Sequence, residues 1–163
     1  MGNRPKLLVS ACLLGRPVRY DGTAKTLSDH ILDRWVREGR VVPVCPELSA
    51  GLPTPRPAAE IANGQSGESV LSGSAIVVAA NGDDVTEAYV AGARAALGLA
   101  MGQDCRFALL TDGSPSCGGS FIHDGSFGGQ RHSGEGVAAA LLRQHGIKVF
   151  SPHQITELAA LID

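Results

Sequence analysis

Four short apolar runs, Lys6–Cys12, Val41–Cys45, Phe107–Leu110 and Ile147–Phe150, are separated by stretches whose apolar residues recur every three or four positions. A short run that is apolar without alternation suits a strand covered on both faces, and such strands belong to parallel sheets with helical crossovers. This pattern directs the chain to an α/β fold with a mostly parallel sheet flanked by helices. The 163 residues suit one such domain, expected to span residues 1–163.

The intervening stretches carry their own signals. Leu27, Ile31 and Trp35, with Leu32 and Val36 beside them and Gly39 as a stop, predict a helix starting near Ser28. Strand, helix and strand in that order predict a right-handed parallel crossover. Asp84 and Glu87 have capping-box spacing, and Val85, Tyr89, Ala93, Ala96 and Ala100 form a packing stripe so poor in charge that a mostly buried helix is expected. Glu135–His145 reads as a helix stopped by Gly146, and Ser151, Pro152 and Gln154 open a final helix packed by Ile155, Leu158, Ala159 and Ile162. Pro53, Pro55 and Pro57 impose an extended path, after which Ala58–Ile61 and Ala75–Ala80 suit a small antiparallel strand pair. Seven glycines between Gly118 and Gly136 give that segment the character of a functional loop.

Charge and composition exclude several partners. A net charge of −2 and 4% aromatic residues leave no basic footprint or stacking surface for nucleic acid. No apolar run approaches the roughly 18 residues of a membrane span. Val9-Ser10-Ala11-Cys12 has the look of a lipoprotein cleavage site, but Lys6 leaves only Leu7, Leu8 and Val9 as its apolar stretch. A cytoplasmic location is therefore expected, and four cysteines in so long a chain are too sparse for a disulfide scaffold.

Three of those cysteines share one placement. Cys12 and Cys45 each close an apolar run, and Cys117 lies in the loop after another, so parallel strands would bring all three to the carboxyl edge of the sheet. That edge is where open α/β sheets bind ligands. Cys105 precedes its strand and belongs at the opposite rim. Singly, each cysteine reads equally well as a small buried hydrophobe. Three together would repel as thiolates unless a metal, a cluster or a redox pair intervened. Their spacing matches no local zinc-ribbon or ferredoxin signature, so all three options stand at this point.

Glu47, two residues past Cys45 in a proline-stiffened turn, is placed to activate a water, with Glu60 and Asp124 as weaker candidates of the same kind. Ser114 and Ser116 flank Pro115 before Cys117 and offer hydroxyl donors, or else cap a turn. His123-Asp124-Gly125 and Tyr20-Asp21-Gly22 read as Asp-Gly turns. Phosphate-loop, zinc-protease and α/β-hydrolase motifs are absent.

Ser10-Ala11-Cys12-Leu13-Leu14-Gly15, Arg19-Tyr20-Asp21-Gly22, Pro43-Val44-Cys45-Pro46-Glu47, Gly51-Leu52-Pro53-Thr54-Pro55-Arg56, Asp84-Val85-Thr86 and Ser114-Pro115-Ser116-Cys117-Gly118 occur in that order. Together they resemble the small bacterial family that contains thiouracil desulfidase, over nearly the whole chain. The resemblance implies a 4Fe–4S cluster held by Cys12, Cys45 and Cys117, with one iron left open to a thiocarbonyl sulfur. It also implies Glu47 as the catalytic acid/base and Ser114 as the assisting hydroxyl. Water would attack the carbon and sulfur would leave as hydrogen sulfide, without an electron donor. The expected partner is a small thiolated heterocycle, thiouracil or a related nucleobase, bound by a monomer or homodimer. A non-catalytic iron–sulfur carrier or redox-sensing module and a three-cysteine zinc hydrolase are the competing readings. The chain departs from the family at Thr111-Asp112, where other members often carry a basic residue, and at His123, where many have tyrosine. Contact of these side chains with substrate would alter the compound preferred.

Overall fold

The computed structural model describes residues 4–163. In chain order the elements are β1 (Leu7–Ser10), α1 (His30–Arg37), β2 (Val41–Val44), α2 (Pro46–Ser49), β3 (Ala59–Ile61), α3 (Gly67–Leu71), β4 (Val77–Ala79) and α4 (Thr86–Gly102). There follow β5 (Phe107–Leu109), β6 (Phe121–His123), β7 (Arg131–Ser133), α5 (Val137–Gln144), β8 (Lys148–Phe150) and α6 (Ile155–Ile162). The four apolar runs form one parallel sheet in the order β2-β1-β5-β8.

Both faces of this sheet are covered, which is why its strands show no polar alternation. All four residues of β1 are buried. Leu7 and Val9 pack with Leu32 and Trp35 of α1 and with Ile155, Leu158 and Ile162 of α6. Leu8 packs on the other side with Ala96 and Ala100 of α4 and with Ala139 and Leu142 of α5. Small residues on α4 let it lie close to the sheet and to α5. Among the described residues no helix is long and apolar enough to cross a membrane.

Several local expectations shift. Helix α1 is capped by Asp29 rather than Ser28, the Asp29 carboxylate accepting the Ile31 N–H at 2.8 Å. The capping box at Asp84 and Glu87 does not form. Asp84 is held in a β-bridge to Val78 and accepts the Thr86 N–H and hydroxyl, so the cap falls at Val85. The box at Ser151 and Gln154 does form. Nor is α4 mostly buried. Glu87, Ala91, Arg94, Ala95, Gly98 and Met101 are exposed, because the helix covers the sheet with one face and its outer face has only two charged residues among small or apolar ones.

Strands β3 and β4 pair antiparallel as expected, with Ala59 opposite Ala79. The Ser- and Gly-rich stretch between them also contains the short helix α3. The glycine-rich segment, read as a loop, holds the antiparallel hairpin β6–β7, with Ile122 opposite His132. Ile122 anchors it under α4 and α5 in a third cluster with Ile61, Val77, Tyr89 and Val137.

Candidate functional site

Strand order reverses between β1 and β5, so the loops beyond their carboxyl ends part and leave a crevice. A cavity of about 410 Å³ opens there, and Cys12, Cys45, Cys117, Glu47 and Ser114 all line it. Cys105 is buried at the amino end of β5, where its N–H donates to Ala100, and does not line the cavity.

Each cysteine is placed by local structure. Cys12 lies in a 3₁₀ turn, Ala11–Leu14, that follows β1 directly and ends at Gly15. Cys45 is the N-cap of α2, with Pro46 in the first helical position, so the residue directly after β2 starts the next turn. Cys117 follows a turn in which Ser114 Oγ accepts the N–H groups of Ser116 and Cys117 at 3.0 and 3.2 Å. The start of α5 backs onto that turn, Val137 and Ala138 donating to the carbonyls of Pro115 and Ser116. Gly136 permits this approach, since a Cβ there would lie 2.5 Å from the Ser116 carbonyl oxygen.

The electrostatics suit a cationic occupant. Burial pushes the Cys12 and Cys45 thiols up from their ordinary range, and Cys117 well up. The charges of Arg19 and Lys25 draw Cys12 back down, while the charge of Cys45 raises it. For Cys117 the charges of Cys12, Glu47 and Cys45 add to burial. Three soft sulfurs that hinder one another's ionisation are relieved by a thiophilic metal centre. Thr111 Oγ1 is buried without a hydrogen-bond partner beside this group, a hydroxyl free to donate to a ligating sulfur. Among the described residues no three His, Cys, Asp or Glu side chains converge on a single-ion site. An iron–sulfur cluster needs no such convergence, because its thiolates bind separate irons. The residues present therefore fit a cluster better than the single zinc ion of the hydrolase reading.

Glu47, in the first turn of α2, is held by three side-chain donors. Its Oε1 accepts from Arg56 Nε at 2.8 Å and from the Tyr89 hydroxyl at 3.0 Å, and its Oε2 accepts from Ser116 Oγ at 3.2 Å. Arg56 also donates to the carbonyls of Pro53 and Val18, tying two loops to the carboxylate. Burial and the neighbouring Glu47 charge push the Tyr89 phenol far up, so it remains a donor.

The weaker candidates separate. Glu60 lines the cavity, but its Oε1 accepts the N–H groups of Gly125 and Phe127 and so shapes the hairpin tip. Asp124 accepts from Ser126 in a turn outside the cavity, and Asp21 does the same for Thr23. Asp112 lines the cavity, but its carboxylate is engaged by Gly119, Ser120 and Ser151 and so closes the loop that carries Cys117. His123 lines the cavity beside Phe121, over whose ring the Arg131 guanidinium stacks at 4.4 Å. The sequence reads Tyr89 only as core, gives Arg56 a place in the Gly51–Arg56 motif but no role, and marks nothing at Phe121. Their roles arise from contacts between elements distant in sequence.

A family model described as 2-thiouracil desulfurase matches residues 7–154. A protein of Bacillus subtilis (strain 168) described as uncharacterized protein YbbK is 42% identical over 152 residues, 93% of this chain and 99% of its own length. Among solved structures, one described as the 4Fe–4S-dependent thiouracil desulfidase TudS is similar with a TM-score of 0.87 and 50% identity, covering 97% of each chain.

Proposed function

Because this chain belongs to the 2-thiouracil desulfurase family, we propose that it is an iron–sulfur-dependent desulfidase that exchanges the sulfur of thiouracil, or a related thiolated nucleobase, for oxygen. The reaction consumes one water and returns the oxo-heterocycle and hydrogen sulfide, with no net redox change. The observation that carries the reading is the meeting of Cys12, Cys45, Cys117 and Glu47 on one cavity at the switch point of the sheet.

In this reading Cys12, Cys45 and Cys117 hold a 4Fe–4S cluster. When bound, the cluster supplies through its iron without a protein ligand a soft Lewis acid for the thiocarbonyl sulfur. The remaining work falls to side chains. Glu47 takes a proton from the attacking water and returns it to the departing sulfide. Ser114, whose Oγ lone pairs receive the turn amides, has its hydroxyl hydrogen free to donate to the heterocycle or the water. Phe121, fixed on one side by Arg131, gives a flat ring an apolar wall. Arg19 and Lys25 offset the negative charge of the thiolates.

The test is sulfide release. Protein reconstituted anaerobically with iron and sulfide, then given 2-thiouracil, is expected to form uracil and hydrogen sulfide in equal amounts. Glu47→Gln is expected to retain the cluster and lose turnover. A cluster-loaded wild-type protein that releases no sulfide from any thionucleobase would instead support the carrier reading.

A further inference from the structure

The Glu47 carboxylate has about four lone-pair positions when ionised. Two on Oε1 are taken by Arg56 Nε and the Tyr89 hydroxyl, and one on Oε2 is taken by Ser116 Oγ. The three donors come from three parts of the chain: the proline-rich segment after α2, the first turn of α4, and the turn before Cys117. All three side chains are buried or nearly so, and Ser116 lies behind the cavity wall while Ser114 lines it. With each oxygen held from a different direction, the carboxylate can neither rotate about its terminal bond nor swing aside. A single lone pair on Oε2 is left over.

We infer that Tyr89 and Ser116 are positioning residues for desulfuration. By donating to opposite oxygens of Glu47 they lock its plane, so that the one free position on Oε2 is the one that handles the proton of the reacting water. The two serines of the Ser114-Pro115-Ser116 turn thereby divide their roles, Ser114 toward the substrate and Ser116 toward the acid/base. The inference rests on the desulfidase reading for its chemistry, but the hold on Glu47 is a property of this chain with or without a bound cluster. Tyr89 is suited to the role because α4 is anchored to α2 three residues further on, where Gly92 abuts the Pro46 carbonyl.

Two measurements test it on Tyr89→Phe, Ser116→Ala and Ser116→Thr. In cluster-loaded protein the first two variants are expected to lower kcat by at least about tenfold, as loss of an orienting partner does, with KM and iron content unchanged. Ser116→Thr, which keeps the hydroxyl, is expected to recover most of that loss. In cluster-free protein the infrared carboxylate stretch of Glu47, located by subtracting the Glu47→Gln spectrum, is expected to shift in Tyr89→Phe and Ser116→Ala and to remain in Ser116→Thr. Wild-type kcat in both donor-deleted variants, or an unmoved infrared band, overturns the inference. A parallel loss of kcat, KM and iron content also overturns it, since that signature belongs to damage of the fold. If wild-type protein itself releases no sulfide, the desulfidase reading fails, and the infrared band still decides whether these two residues hold Glu47.

Discussion

Gly92→Ala is a one-methyl perturbation at a residue that does not line the cavity, and its consequence can be worked from the packing of α4 on α2. A Cβ at residue 92 would stand 2.3 Å from the Pro46 carbonyl oxygen and 2.8 Å from its carbon, whereas ordinary contact begins near 3.4 Å. A gap of about 1 Å must open, and the neighbour that has to move is backbone. Overpacking of this kind costs about 1–3 kcal/mol, offset by about 1 kcal/mol from replacing glycine inside a helix. The net loss is about 0–2 kcal/mol. Pro46 lies between Cys45 and Glu47, so the displacement reaches both residues, and a 1 Å misplacement of reacting groups can cost about 100-fold in rate. Gly98, on the exposed face of the same helix with no atom within 4 Å of its would-be Cβ, is the control. Gly98→Ala is expected to gain about 1 kcal/mol and leave turnover intact. Urea unfolding of the cluster-free proteins and sulfide release per bound cluster measure the two effects. Equal stabilisation of both variants, with wild-type turnover at Gly92→Ala, would refute the contact as the element that sets the site.

Two further outcomes follow from the same geometry. Arg56→Ala leaves the Glu47 carboxylate, 11% exposed, without its cation, and breaking a buried pair in this way costs about 3–5 kcal/mol; a shift of under about 1 kcal/mol in urea unfolding would contradict the arrangement. For Asp112, burial pushes the carboxyl up but is outweighed by the N–H and hydroxyl donors of Ser120, Ser151 and Gly119, so its folded-state value lies below the ordinary 3.8. Its stabilisation is therefore complete above the unfolded-state value and is lost as pH falls through the lowered one. Asp112→Asn should flatten the acid limb of stability against pH. An unchanged limb would show that the carboxylate does not order the loop.

The parallel sheet was legible because Leu7–Val9 and Ala108–Leu109 are buried on both sides and Val41–Val44, on an edge strand, are half-buried or better, which leaves continuous apolar runs in the sequence. The placement of Cys12, Cys45 and Cys117 followed from that sheet, since each lies beyond a strand whose direction was already known. What escaped reading was built from weak or distant signals. Strand β7 is Arg131-His132-Ser133, polar throughout, and its register depends on one buried partner residue, Ile122. The exposed side of α4 carries Ala91, Ala95, Gly98 and Met101 with only Glu87 and Arg94 as charges, so a scarcity of charge there did not mean burial. Tyr89 has the period of a packing residue and does pack, yet its hydroxyl reaches a carboxylate 42 residues away in sequence. No local pattern reports a contact of that range.

The proposed function requires that three thiols, and not the fourth, hold the cluster at the edge of the sheet. Iron and acid-labile sulfide content after anaerobic reconstitution tests it directly. About four irons per chain are expected in the wild type and in Cys105→Ser, with the cluster lost from each of Cys12→Ser, Cys45→Ser and Cys117→Ser. Retention of the full complement by any of those three variants, or its loss from Cys105→Ser alone, would contradict it.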